Sequence, residues 1–558
     1  MTTRSPYLLD PIDNFCAISG HSTLLIDNKL YITTGYAPVI ENGTTRVASS
    51  PWIRVIDLNE PFNLNQTASV TTILPPSIVP VNIPDNQGAS FWWDPEGSTI
   101  IYTQGGATIE GSGGVIRDAN LVSFGRPGKS WTGGYNSAND SFETWEEIDT
   151  PFLGQTGQTF SLRRFFDPVK RKGYIYGGAV VGDGGGDWNQ ILTYDAVQQS
   201  WTNQTTPYGN FDSVGAAVPF TTTTGKVLGI VFGGTLNGTP LSMETIFIHD
   251  TETDNWYRQR TNGSPPIPRG HFCATVIKAQ DGTSTQILVF GGFGEGHPSD
   301  IFALSLPSFT WIQLEERSPD FLPGPGIRLQ PSCDVVNNRF FTIFGGRSLV
   351  GGDTANCDTQ QNALFMYDLT EREWIIDYDP ALRDYTIPEP VYQAIGGNSS
   401  GGATMIEPPQ GFAAPTMAEL FAITTPATTT SSSPTGTETT IPPTETSASG
   451  GKKASPGAIA GGVIAGVIIV IGALAWLYFR RKNRVRNLPG LPFAEPPPPP
   501  PRAGIGEVPT DRAYAVEVDA FPPRPEIMEL NGNGILKPHG GPPIELPVME
   551  LPVDPNKR

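Results

Sequence analysis

The chain has 558 residues, with 63 Gly, 54 Pro, four Cys, 38% hydrophobic residues and a formal net charge of −19. That abundance of turn formers excludes an architecture of long helices and points to all-β structure with low-complexity segments. Residues 1–456 carry 25 basic and 45 acidic groups (net −20) and residues 480–558 carry 11 and 10 (net +1), which excludes nucleic acid as a partner because phosphate contacts need clustered Lys and Arg.

The first residues, MTTRSPYLLDPIDNF, contain no apolar core of a secretory signal. The expectation is a signal upstream of Met1, with a late signal-anchor as the alternative. From about residue 19 to 378 one phrase returns: a β-rich run ending in a Gly doublet, a variable loop, a second β-run, then Trp. The doublets are Gly105-Gly106, Gly177-Gly178, Gly233-Gly234, Gly291-Gly292 and Gly345-Gly346, with YITTGY at Gly35 as a degenerate first copy. The first glycines are spaced by 70, 72, 56, 58 and 54 residues, the period of a four-stranded propeller blade. The following Trp residues are Trp145, Trp201, Trp256, Trp311 and Trp374, and the first repeat has none. Each ring is expected to pack between neighbouring blades, and each Gly pair to turn the backbone where a Cβ would clash.

In these residues, and in PRGH at Pro268–His271, the chain resembles the kelch-repeat superfamily. The resemblance implies a six-bladed β-propeller with a binding surface made by the loops of one face. The layout is similar to that of fungal single-pass kelch-repeat membrane proteins.

Residues 379–423 hold no seventh doublet and are expected to complete the propeller domain (1–423) by covering a face or the seam between first and last blades. In residues 424–456 Ser and Thr dominate, 17 of the 32 from Thr424 to Ser455. Such a run reads as an extended, O-glycosylated stalk, reaching up to roughly 100 Å as polyproline II. Residues 457–479, GAIAGGVIAGVIIVIGALAWLYF, carry no charge. As a helix they span about 34 Å, enough to cross a bilayer. Gly457-x-x-x-Gly461 and Gly462-x-x-x-Gly466 offer close helix contact in a homodimer. Arg480, Arg481, Lys482, Arg484 and Arg486 follow directly and place the C-terminal side in the cytoplasm. The remainder to residue 558 reads as a disordered Pro-rich tail. Within it Pro497, Pro500 and Arg502 have the spacing of a polyproline II ligand for an SH3-type domain.

Seven Asn-X-Ser/Thr sequons, at Asn42, Asn65, Asn139, Asn203, Asn237, Asn262 and Asn398, all precede the apolar run, consistent with a type I topology and an extracellular or lumenal propeller. The spacing of Cys16, Cys273, Cys333 and Cys357 matches no short-range zinc motif and leaves three disulfide pairings open.

Catalytic constellations are sparse. Copper-radical oxidases resembling galactose oxidase also use a kelch-type propeller, but they need two His and two Tyr on the metal. His21, His249, His271, His297 and His539 form no pair at metal-ligand spacing. His21 and His271 occupy equivalent places in repeats one and five. Asp183 and Asp187, in a Gly-rich loop, offer at most weak cation binding. The reading is therefore a surface protein, not an enzyme and without a cofactor, that binds a glycan or protein and docks cytoplasmic partners through its tail. A galactose-oxidase-like enzyme and a ligand-free structural protein are the alternatives.

Overall fold

The structure is a computed structural model. It describes residues 12, 15, 17–33, 35–41, 44–49, 53–74, 88–103, 115–116, 129–136, 141–150, 158–181, 186–187, 189–212, 214–296, 298–320, 323–348, 363–422, 529–530 and 536–537. The chain divides into two compact units, Met1–Ser433 and Pro434–Arg558. In the second, the described residues form one antiparallel pair, Glu529–Leu530 with Leu536–Lys537. No helix among the described residues is long and apolar enough to cross a membrane. The apolar run 457–479, the basic cluster Arg480–Arg486 and the Pro497, Pro500, Arg502 motif lie outside them.

The first unit is an all-β, six-bladed propeller. Blade 1 is built from Ser22–Ile26, Lys29–Thr33, Ile53–Asp57 and Thr71–Leu74. Blade 2 uses Phe91–Asp94, Thr99–Thr103, Lys129–Asn136 and Ser141–Asp149, and blade 3 Arg164–Asp167, Lys172–Tyr176, Gln190–Asp195 and Ser200–Thr205. Blade 4 follows with Ala216–Thr221, Val227–Phe232, Thr245–Asp250 and Asn255–Arg260. Blade 5 has Cys273–Lys278, Thr285–Phe290, Ile301–Leu306 and Thr310–Glu315, and blade 6 Ser332–Val336, Phe340–Phe344, Leu364–Asp368 and Glu373–Ile375. In every blade the strands pair antiparallel in chain order. The first strands touch one another around a closed ring, blade 6 against blade 1 included. The second strands are the apolar runs of the repeat, and Phe340–Phe344 is buried at every position, as expected of a strand covered on both faces.

The long early intervals have a structural cause. Tyr36–Glu41 and Thr44–Ser49, in the loop after the second strand of blade 1, form a hairpin that Val115–Ile116 of blade 2 joins in parallel. Among the described residues, part of the extra length forms this small three-stranded sheet.

The Gly doublets act between blades. The second glycine N–H donates to a carbonyl of the following blade: Gly178 to Phe211 (3.0 Å), Gly234 to Arg269 (2.8 Å), Gly292 to Arg328 (2.8 Å) and Gly346 to Ile18 (2.7 Å). The last of these closes the ring with the bond used within it. Gly345 has φ +59°, and a Cβ there would lie 2.5 Å from the Ile18 carbonyl oxygen, so both conformation and contact require glycine. Gly105 and Gly106 lie outside the described residues.

The described Trp residues from the third blade onward each face the preceding blade. Trp201 donates through Nε1 to Ser130 Oγ at 2.8 Å and packs on Trp92 at 6.4 Å. Trp256 meets Tyr176 at 5.8 Å, Trp311 donates to the Met243 carbonyl at 2.9 Å, and Trp374 meets Phe290 at 5.9 Å. Trp145 packs against the apolar cluster shared by blades 1 and 2. Trp201 and Trp311 are buried, while Trp145, Trp256 and Trp374 are half-buried.

Blade 1 lacks the Trp, and its junction with blade 6 is filled differently. Asp377–Tyr378 pairs with Phe62–Asn63. The buried Tyr378 donates its hydroxyl to the Leu58 carbonyl at 2.9 Å and contacts Phe62 and Phe340, both at 5.4 Å. Leu64, in the short 3-10 helix Leu64–Val70, completes this cluster. Of the two placements expected for residues 379–423, a face or the seam, the seam is taken by Asp377–Tyr378, just before that segment. Residues 379–422 run over blades 6, 5 and 4 instead. Helix α1 (Glu389–Ile395) packs Val391 and Ile395 against the cluster of blades 5 and 6. After α2 (Pro415–Leu420), Phe421 enters the cluster of blades 4 and 5.

Among the three open disulfide pairings the structure contains Cys273–Cys333, joining the innermost strands of blades 5 and 6. Cys16 and Cys357 lie outside the described residues.

Candidate binding site at the channel mouth

The segments that enter the six innermost strands converge on the propeller axis. They enclose a cavity of about 180 Å³, to which all six blades contribute. Its wall is mixed: polar Ser22, Thr23, Arg164, Gln330 and Asp334 come from blades 1, 3 and 6, and Phe91, Ala217 and Ala274 from blades 2, 4 and 5. The mouth lies at the end of the ring where the second strands finish in their Gly doublets, because antiparallel pairing puts the start of the first strand beside the end of the second. The inter-strand loops after those doublets therefore lie on the same face.

Two ionisable groups of opposite sign line the cavity without pairing. Arg164 Nη1 donates to the carbonyls of Gly88 and Ser161, both at 2.7 Å, and Nη2 donates to Ser22 Oγ at 2.8 Å. Among the described residues these neutral acceptors are its hydrogen-bond partners. Desolvation by the surrounding blades lowers its pKa to about 10. Asp334 accepts a 2.7 Å hydrogen bond from Thr23 Oγ1 across the blade 6–blade 1 junction. Burial raises its pKa to about 6, and the Thr23 bond opposes that shift. His21 lies beside them, its Nε2 2.9 Å from Ser332 Oγ. Burial, followed by the Arg164 charge, lowers its pKa to about 3, so the ring is neutral at physiological pH. The site thus offers a guanidinium, a carboxyl poised to titrate and several hydroxyls in a low-dielectric wall, where such groups interact more strongly than in water.

Among the described residues singled out from sequence, His21, Cys273 and Cys333 reach this cavity. His249 is fully buried between blades 3 and 4. It stacks on Trp256 at 4.7 Å, and its Nε2 lies 3.3 Å from Asp254 Oδ1 and its Nδ1 3.0 Å from the Tyr176 hydroxyl. A neutral ring satisfies both partners by donating from Nε2 and accepting at Nδ1, and burial lowers its pKa. This is a packing role. His271 belongs to the segment entering blade 5, where its N–H donates to the Val214 carbonyl at 2.8 Å. No group of three or more His, Cys, Asp or Glu gathers at metal-binding distance among the described residues. Asp187 falls in the short strand Gly186–Asp187; Asp183, His297 and His539 lie outside the described residues.

Asn65, Asn203, Asn237 and Asn398 are exposed, Asn262 is half-buried, and Asn42 and Asn139 lie outside the described residues. Sequence reasoning missed Arg164, Asp334, Thr23 and Ser22. The signal available was positional: GHST at 20–23 and GHFC at 270–273 mark the start of an innermost strand.

Comparison with known proteins agrees with this architecture. Residues 219–378 match the KLHDC2/KLHL20/DRC7 Kelch-repeats domain. A "Kelch repeat-containing protein" of Arthroderma benhamiae is 30% identical over 331 residues, 54% of this chain and 45% of that protein. The "Acyl-CoA-binding domain-containing protein 4" of Arabidopsis thaliana is 27% identical over 37% of this chain and 29% of its own length. The "Kelch domain-containing protein 2" of Bos taurus is 30% identical over 23% and 28%, respectively. The chain spans less than half the length of each of these relatives. Repeat sequence, blade topology and the matched segment together show a chain that resembles the kelch-repeat superfamily, and a kelch propeller suggests a protein-binding role.

Proposed function

We propose that the protein is a single-pass, type I cell-surface protein whose propeller binds a protein or glycan ligand without catalysis. One observation carries the reading: six blades converge on a single cavity whose wall holds Arg164 and Asp334 unpaired with each other. A buried charge with only neutral partners is costly to keep, and a ligand that pairs with it recovers that cost on binding. The inter-strand loops on the same face supply the outer contact area. The apolar run 457–479 with its basic flank, the Ser/Thr-rich stretch and the sequons support the membrane topology. Pro497, Pro500 and Arg502 support docking of an SH3-type partner on the cytoplasmic side, and the glycine pairs of the apolar run support a homodimer.

Surface biotinylation of cells expressing the full chain, with and without enzymatic deglycosylation, tests the topology. The expected result is a labelled protein whose mass falls on deglycosylation; an unlabelled, unglycosylated chain overturns it. Binding is tested by screening the purified protein against glycan and peptide arrays. The hits should be lost in Arg164→Gln with folding intact, whereas hits insensitive to Arg164→Gln and to loop exchange refute the site.

A further inference from the structure

The Cys273–Cys333 bridge is placed where the ring does not require it. The innermost strands of blades 5 and 6 already touch. Gly292 N–H donates to the Arg328 carbonyl and Gln330 N–H to the His271 carbonyl, both at 2.8 Å. Farther out, one apolar cluster spans both blades, with Leu288, Phe290 and Ala303 packed with Phe341, Ile343 and Phe365. A cross-link added to a junction held this way sits at the axis, and both cysteines line the channel-mouth cavity. The two are unequal: Cys273 is 5% exposed, while Cys333 is half-buried.

We infer that Cys273–Cys333 is a thiol–disulfide exchange site, reached through the channel by small thiols, with Cys333 as the sulfur attacked. A low-molecular-weight thiolate adds to Cys333 Sγ, forming a mixed disulfide, and the S–S bond breaks with its electron pair leaving on Cys273 Sγ, which takes a proton. A second thiol attacks the external sulfur, releasing the oxidised small disulfide and leaving Cys333 as a thiol. Two electrons pass from the two small thiols to the protein, and the oxidised small disulfide reverses the cycle. The attack depends on access and thiolate supply, and the cavity provides access without unfolding. Opening the bridge frees the blade 5 and blade 6 strands at the mouth, while the backbone bonds and the apolar cluster keep the blades joined. This site stands independently of the proposed ligand.

The test uses the oxidised full-length protein under native conditions, exposed to reduced glutathione, quenched in acid, alkylated and mapped by mass spectrometry. The expected result is reduction at a rate proportional to thiolate concentration, rising about tenfold per pH unit below the thiol pKa. The glutathionyl adduct should appear on Cys333 and the circular dichroism should remain unchanged. The same thiol attached to a large inert polymer should react more slowly, a comparison that needs no variant. Reduction that is independent of thiol concentration and size and tracks the global unfolding rate overturns the inference, as does an adduct found on Cys273 or no reduction of the folded protein.

Discussion

Replacing Asp212 by Ala is expected to destabilise the propeller by about 4 kcal/mol, because it removes the carboxylate beside a fully buried guanidinium between blades 3 and 4. The Arg163 side chain is 0% exposed and that of Asp212 11%, with Nη1 2.7 Å from Oδ1. Nη1 also donates to the Asp212 carbonyl and Nη2 to the Gly233 carbonyl. Gly215 and Gly234 leave the room, since a Cβ on either would meet Nη2 at 2.2 or 2.5 Å. At an effective dielectric of about 20 the gross attraction is about 6 kcal/mol, most of it offset by desolvation. Removing one partner of such a pair costs about 3–5 kcal/mol because the other charge stays buried. The carboxylate also accepts the backbone N–H of Thr235 at 2.6 Å and of Val214 at 3.1 Å, and each lost bond adds about 1 kcal/mol. Equilibrium denaturant unfolding of wild type, Asp212→Ala, Arg163→Met and the double variant measures this, provided two probes report one transition. The double variant should cost less than the sum of the singles by about 2–3 kcal/mol. An Asp212→Ala cost below about 1 kcal/mol, or strict additivity, refutes the reasoning.

Gly345→Ala should cost at least about 2 kcal/mol, from the left-handed backbone plus the clash with Ile18. Gly238→Ala, at φ +75° with nothing within 4 Å of a Cβ, should show the backbone term alone, and equal costs at both sites would remove the clash from the account. Asp334→Asn should stabilise the protein at pH 7 by up to about 3 kcal/mol. The folded-state pKa of about 6 lies above the unfolded value, so the native state binds the extra proton and loses stability as pH rises from about 4 to 6. The gain should therefore vanish below pH 4, and a pH-independent difference in unfolding midpoint would contradict it. Truncation after Tyr378 removes Tyr385, Ile387, Val391, Ile395, Met417 and Phe421, all buried. At about 1.5–3 kcal/mol each the loss is on the order of the whole stability of a domain. Soluble yield should collapse for residues 1–378 but not 1–423, and equal unfolding midpoints would show that the segment is dispensable.

The blade repeat was legible because its signals are local. An apolar second strand, a Gly doublet and a Trp each satisfy a requirement that recurs at every junction, so five copies announce the period. The seam was illegible for the same reason: it is the junction where the repeat is broken. Nothing local distinguishes Tyr378 from any other aromatic after a blade, yet it fills the place of the missing Trp. The candidate site followed the same division. His21 was visible by its repeat partner His271, whereas Arg164 and Asp334 sit at or near strand starts where a charge reads as solvent-facing.

From the sequence alone came an all-β propeller, its six blades and the role of the doublets. These follow from composition and period, which act over a few residues. The tertiary structure decided which cysteines join, where residues 379–422 pack and which side chains share the axis. The last of these depends on ring closure, which brings the start of the first blade against the last across more than 300 residues, as Thr23 meets Asp334. No periodicity encodes such a meeting, because it is fixed by the geometry of six twisted sheets closing on themselves.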